Sequence, residues 1–173
     1  MTRSLGNIIA DSLQLGLDYA NRLLKDMPAD QFGRFATPGG QPVESNHAAF
    51  VFGHLSLYPG RILTALGQAA PPVPDGFEAC FSKDARCVDD PDSTVYPPMD
   101  QIVTCFQDGY SAALSALRAA DDSVLQQPNP MGGRMTELFP TIGSMHAFYV
   151  GGHMMMHLGQ VSAWRRMLGL GAA

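Results

Sequence analysis

Four long segments of this chain place apolar residues three or four positions apart, which is the spacing that gives a helix one apolar face. They cover residues 4–27, 46–66, 99–120 and 141–168. In the first segment the apolar positions are Ile9, Leu13, Leu17, Ala20, Leu24 and Met27. No segment has the convincing alternation of a strand, so the sequence predicts an all-α fold whose helices pack as one bundle.

Residues at the ends of these segments indicate where the helices begin and end. Ser45 is predicted to cap the second helix and Thr141 the fourth, because a side-chain hydroxyl can accept a hydrogen bond from an unpaired backbone N–H. Pro59 lies inside the second segment and predicts either a kink or a stop and restart. Gly169 is a natural stop for the fourth helix.

The connection between the second and third helices, residues 67–98, is the longest in the chain and is rich in proline. A loop of that length can cross the whole bundle, so helices two and three are predicted to run parallel, with helices one and four opposed to them. His47 and His146 should then lie far apart. No repeat or boundary divides the chain, and we expect a single domain over residues 1–173.

Composition argues against several classes of function. The net charge is −5, and lysine occurs only at Lys25 and Lys83, so neither nucleic acid nor an anionic membrane is an expected partner. No apolar run reaches the roughly 20 residues of a membrane span. The N-terminus lacks a secretory pattern, and the odd number of cysteines argues against a disulfide framework. We therefore expect a cytoplasmic protein with free thiols, although Cys80 and Cys87 could pair under oxidation.

The charged fraction is 16%, below the roughly 25% of typical soluble domains. This low fraction suggests that a partner subunit covers part of the surface. We expect a homodimer.

All five histidines lie in the second and fourth segments. His153 and His157 are four residues apart, so both rings leave the same face of a helix one turn apart. Two imidazoles in this arrangement can hold one metal ion, and His54, in the middle of the second segment, is the candidate third ligand. Three protein ligands with an open position are typical of catalytic zinc sites. The alternative is an ordinary set of core or partly exposed histidines.

Other residues near these positions have less specific roles. His47 and His146 each precede a candidate ligand by seven residues, or about 10 Å along a helix, so we expect a cap, a pocket wall or a hydrogen-bond partner of a ligand rather than a second metal site. Gln160 could hydrogen-bond a ligand, and Tyr58 could point its phenol at the open position, although either could be purely structural. The methionines at 154–156 are expected to pack in the core.

Two stretches resemble the motifs of DinB/YfiT-like proteins. Residues 46–55, Asn-His-Ala-Ala-Phe-Val-Phe-Gly-His-Leu, resemble the second-helix motif of that family. Residues 153–160, followed by Trp-Arg-Arg-Met-Leu-Gly at 164–169, resemble its fourth-helix motif, and residues 89–97 resemble its long loop. The resemblance implies a four-helix bundle with a long crossover between helices two and three, often dimeric, in which His54, His153 and His157 hold a metal ion.

That family includes metal-dependent hydrolases and S-transferases that use low-molecular-weight thiols such as bacillithiol, mycothiol or glutathione. The resemblance therefore implies a metal-dependent enzyme with a small-molecule substrate, and with a thiol cosubstrate in the second case. Imidazoles suit zinc, nickel, copper and iron, and we expect one divalent ion, zinc or nickel. The alternative is a non-catalytic small-molecule-binding or stress-response module with a structural or vestigial metal site. No catalytic residue is assigned.

Overall fold

The structure is a computed structural model that describes residues 3–173, and the regular structure in that range is helical. The α-helices are α1 Leu5–Leu24, α2 Ala48–Ser56, α3 Pro59–Ala65, α4 Phe77–Phe81, α5 Met99–Ala119, α6 Asp122–Leu125, α7 Gly133–Leu138, α8 Ile142–Ala147 and α9 Met154–Met167. A π-helical segment, Phe148–His153, joins α8 to α9. The predicted all-α class is confirmed. None of these helices is both long and apolar enough to cross a membrane.

The second predicted helix is two helices. Pro59 cannot donate a backbone hydrogen bond, and the chain stops at Ser56 and restarts at Pro59, which confirms one of the two predicted outcomes. The predicted cap at Ser45 is wrong. His47 is the N-cap residue, and its Nδ1 accepts a hydrogen bond from the Phe50 N–H at 3.3 Å.

The fourth predicted helix begins as expected. Thr141 caps α8, with its Oγ1 accepting from the Ser144 N–H and the Ser144 Oγ accepting from the Thr141 N–H. The helix ends at Met167, and Gly169 follows with φ +78°, a conformation that glycine adopts without strain. The π-helical turn inside it was not predicted.

Contacts between helices show their relative directions. The rings of Phe52 in α2 and Phe106 in α5 lie 5.0 Å apart, and further along both helices Pro59 packs against Gly109. From the first contact to the second, residue numbers increase on both sides, so α2 and α3 run parallel to α5. This is the predicted crossover, with residues 67–98 returning along the molecule.

The π-helical segment and α9 run antiparallel to α2. At one end the Asn46 side-chain amide donates to Gln160 Oε1 at 3.2 Å, and at the other the rings of Tyr58 and Tyr149 lie 5.1 Å apart. Residue numbers therefore increase along α2 in the direction in which they decrease along the last helix. The predicted antiparallel arrangement of the second and fourth segments is confirmed, and it brings the middle of α2 to the junction of the π-helical segment with α9.

The first helix is opposed to α5. Gly6 packs on the backbone carbonyl of Leu117, and the Gln107 amide donates to Asn21 Oδ1 at 3.4 Å. The apolar face of α1 closes the core, where Leu13 is fully buried.

The long connection between α3 and α5 contains a short helix that the sequence did not predict. Both Phe77 and Phe81 of α4 are fully buried, and the Phe81 ring packs against Gly53 of α2. This packing holds the connection against the middle of α2, next to His54. The long loop is therefore part of the wall around the histidines.

Candidate metal centre

Three histidines meet where α2 passes the start of α9. The ligand nitrogens of His54, His153 and His157 all lie within 4.8 Å of one another. Their ring centroids are separated by 4.8 Å for His54 and His157, 5.4 Å for His54 and His153, and 4.7 Å for His153 and His157. The structure brings the three predicted residues together, and the group could hold a metal ion. Binding at about 2.0–2.1 Å from each nitrogen would draw the three rings closer together.

Hydrogen bonds set the orientation of two of these rings. His54 Nδ1 lies 2.8 Å from the Phe81 carbonyl oxygen, and a carbonyl can only accept, so Nδ1 carries the proton. His157 Nδ1 lies 3.0 Å from Gln160 Oε1 and donates in the same way. The Nε2 atom of each ring is therefore left with a lone pair. Metal-binding histidines usually have such a partner on the other ring nitrogen.

Burial keeps the three rings neutral. It is the largest cause of the lowered pKa of His54, of His157 and of His153, whose pKa falls to about 3. The mutual proximity of the rings lowers the pKa of His153 and His157 further. A neutral imidazole is the form that binds a metal ion, so the donor set fits a divalent cation at pH 7.

Tyr58 borders the group, as the sequence suggested. Its Oη lies 3.3 Å from His54 Nε2, and its ring centroid lies 4.3 Å from that of His153. The Arg61 guanidinium lies over the Tyr58 ring, 4.9 Å from its centroid. Burial raises the pKa of the Tyr58 phenol, so it stays protonated and can donate a hydrogen bond.

A cavity of about 520 Å³ opens beside the histidines. Its other walls are Phe50, Met156 and residues of the long connection, among them Lys83, Arg86 and Cys87. Basic side chains line it, and no carboxylate of the described chain does. Apart from the length of the loop, nothing in the sequence predicts these wall residues. The cavity admits a small molecule to the histidine group.

The two remaining histidines are separate from the group. His47 caps α2 and donates from Nε2 to the Val88 carbonyl at 2.9 Å. His146 forms part of the wall of a second cavity beside Arg61. The predictions of a cap for one and of a pocket wall for the other are confirmed.

The methionines between His153 and His157 differ in burial. Met154 is fully buried and packs against Gly16, whereas Met155 and Met156 are exposed. The prediction of core packing therefore holds for one methionine of the three. The cysteines at 80, 87 and 105 are free thiols, as expected.

The Gln160→Leu substitution should weaken metal binding. It removes the acceptor that orients His157, and loss of such a partner typically costs roughly 10–100-fold in metal affinity. Competition with a chromophoric chelator measures the dissociation constant, and Gln126→Leu, at an exposed position, is the control. Unchanged affinity would show that the Gln160 contact does not orient a ligand.

The His146→Phe substitution should reduce the sensitivity of the fold to acid. Burial lowers the pKa of His146 to about 4, below the value of about 6.5 in an unfolded chain. The unfolded state then binds the proton more readily, so this residue's contribution is complete above pH 6.5 and decreases by about 1.4 kcal/mol per pH unit as the pH falls toward 4.

Between pH 7 and pH 5 the free energy of unfolding of the metal-free variant should therefore fall by about 2 kcal/mol less than that of the native chain. Urea denaturation at the two pH values measures the difference. Equal losses in the two proteins would show that His146 is protonated as readily in the folded chain as in the unfolded one.

Comparison with protein-family models, with curated proteins and with solved structures gave no match to this chain. What can be said of its function therefore rests on the residues and the geometry described above.

Proposed function

We propose that this chain is a divalent-metal-dependent enzyme acting on a small molecule, with His54, His153 and His157 holding the ion. The observation that carries the proposal is the convergence of three neutral imidazoles beside an open cavity. Neutral imidazoles suit zinc and nickel, the two ions that we expect.

The number of ligands favours catalysis over a structural role. Structural zinc sites are usually closed by four protein ligands, whereas catalytic sites keep one position for water or substrate. The group formed by the described residues contains three histidines and no carboxylate or thiol. Tyr58 Oη lies 3.3 Å from His54 Nε2, but the phenol is protonated and is better suited to donating a hydrogen bond than to binding an ion.

A bound divalent ion would lower the pKa of a water molecule or a thiol at its open position. The chain would supply the remaining functions. Phe81 and Gln160 orient two ligands, and Tyr58 can donate a hydrogen bond to a negatively charged oxygen or sulfur. Lys83 favours an anionic substrate at the cavity, whereas the Arg86 guanidinium is already paired with Glu44 at 3.0 Å. Hydrolysis and transfer of a low-molecular-weight thiol both fit these roles.

The family resemblance of the two histidine motifs supports the same proposal. We propose that the helices form a four-helix bundle of the DinB/YfiT type, in which α2 with α3 and α8 with α9 each count as one broken helix. The parallel crossover supports this assignment, as does the place of the histidines on the second and fourth of these units. We also propose a cytoplasmic enzyme.

We further propose that two copies associate through the outer face of α1. Three large apolar side chains are exposed there within three turns, those of Leu5, Ile8 and Leu15 at 37%, 54% and 63%. Burying them against a second copy would remove that apolar area from water.

Metal analysis of untagged protein tests the proposed enzyme. We expect close to one zinc or nickel ion for each chain, and much less in His157→Ala purified alongside. The loaded protein is then assayed with activated esters and amides, and with bacillithiol, mycothiol or glutathione plus a generic electrophile. Turnover should be lost with a chelator and restored by the ion. Metal binding without turnover of any substrate, or no metal at all, would count against the proposed enzyme.

A further inference from the structure

The second cavity lies between α3 and α8, on the far side of Tyr58 and Tyr149 from the histidine group. It also measures about 520 Å³, and none of the three proposed metal ligands lines it. Its walls are mostly apolar, with Ile142 and Met145 from α8 and Ala65 from α3. Small-molecule sites typically have about this size, with apolar walls and a few polar groups.

The polar groups of this cavity are few and basic or neutral. Arg61 is the one cationic side chain among the lining residues, and no carboxylate of the described chain lines the cavity. Arg61 makes no ion pair with any residue in the range 3–173, and its guanidinium lies over the Tyr58 ring. The guanidinium is therefore available to an anion at the rim.

His146 lies in the same wall and lacks the contacts that a buried histidine normally has. It is 2% exposed, and neither ring nitrogen has a hydrogen-bond partner among the described residues. A buried polar atom without a partner costs about 1–3 kcal/mol. Both nitrogens are closed to solvent, so the ring must turn toward the cavity that it lines to meet a polar group of a bound molecule, and that contact would remove the cost.

The loop that closes the cavity is fixed by its own contacts. The Asn129 side-chain amide donates to the Phe139 carbonyl at 2.9 Å, and its Oδ1 accepts from the Met131 N–H at 3.1 Å. Met131 Sδ in turn accepts from Tyr149 Oη at 3.1 Å. Contacts of this kind give the cavity a preformed wall, which lowers the entropy cost of binding.

We propose that this cavity is a second ligand site, which binds a small organic acid with an apolar body. The carboxylate pairs with Arg61 and takes a hydrogen bond from His146, and the apolar body lies against α8. Burial keeps His146 neutral, so the ring can donate from one nitrogen without adding a second charge. The site is independent of the metal centre proposed above.

Titration with 4-phenylbutanoate tests the site, with the uncharged 4-phenylbutanamide as the matched probe. At 18.6 kDa the chain suits amide-resolved NMR. We expect the carboxylate to shift the amide signals of Ile142, Met145 and His146. Arg61→Gln should raise its dissociation constant about tenfold, because it removes a charge-assisted hydrogen bond, and should leave that of the amide within about twofold. Arg166→Gln, an exposed charge-matched change, should alter neither.

Two further variants separate this site from the metal centre and test the imidazole. His157→Ala should bind the carboxylate as tightly as the native chain. His146→Phe, which keeps the ring volume and removes the unpartnered nitrogens, should weaken carboxylate binding several-fold. Equal affinity of the acid and the amide, equal affinity in Arg61→Gln, or shifts centred on His54 and His157 would each overturn the proposal.

Discussion

Replacing His54 or His157 with alanine is expected to release most of the bound metal and to leave the helices intact. Each substitution removes one of three converging nitrogens. Loss of a hydrogen-bond partner behind a ligand already costs roughly 10–100-fold in metal affinity, so loss of the ligand itself should cost at least about 100-fold. Metal content after gel filtration and the dissociation constant from chelator competition measure this effect.

Helical circular dichroism of the same variants tests whether the fold depends on the ion. The core that surrounds the site is extensive, with Phe52, Phe106, Tyr110 and Trp164 fully buried, and it should keep the chain folded without metal. The His146→Phe variant is the matched control, since it removes a buried histidine outside the group. Wholesale loss of helical signal in His54→Ala would show that the ion is structural, and full metal retention would refute the ligand assignment.

The Gly6→Ala substitution is expected to destabilise the fold, because the added methyl group would meet backbone atoms of another helix. A Cβ at this position would lie 2.2 Å from the Leu117 carbonyl oxygen and 3.3 Å from that of Ala120. Both atoms are backbone, so α1 and the end of α5 must move apart. Overpacking of this kind costs up to about 3 kcal/mol, against a helix-propensity gain of at most about 1 kcal/mol.

The net loss of about 2 kcal/mol should lower Tm by roughly 4–8 °C for a chain of this length. Thermal unfolding of the metal-free protein measures it. Gly159→Ala is the matched control, because a Cβ there meets nothing within 4 Å and the position is exposed and helical. It should raise Tm slightly. A Gly6→Ala protein as stable as the native chain would mean that α1 and α5 are further apart at this end than described.

Part of the ligand group was predictable because it depends on residues that lie close together in the sequence. The four-residue spacing of His153 and His157 fixes their common face on any helix. His54 is the candidate third ligand because it lies in the middle of the second segment. The length of residues 67–98 separately predicts the parallel crossover, which places His54 level with the pair. The break at Pro59 was also predictable, since proline lacks the N–H that a continuous helix requires.

The surroundings of the group could not be predicted because they depend on contacts between distant residues. The Phe81 carbonyl reaches His54 only because two buried phenylalanines anchor α4 against α2. Nothing in the sequence near Phe81 marks it as a partner of a ligand. The cap was assigned to Ser45 rather than His47 because hydroxyl caps are the commoner choice, and an imidazole nitrogen proved to take that role.

The π-helical turn between α8 and α9 determines where this part of the chain can lose a residue. A π turn holds one residue more than the α turn it replaces, and each residue of an α-helix rotates the following ones by about 100°. Deleting Gly151 or Gly152 would let this turn become α-helical with α9 still in phase with α8, so both histidines would keep facing His54. A deletion within the α-helical stretch 154–156 would instead turn His157 away from His54 by about 100°. Among descendants of this sequence, loss of one residue should therefore be tolerated in the π-helical turn and eliminated between His153 and His157, where the residue count is inherited strictly.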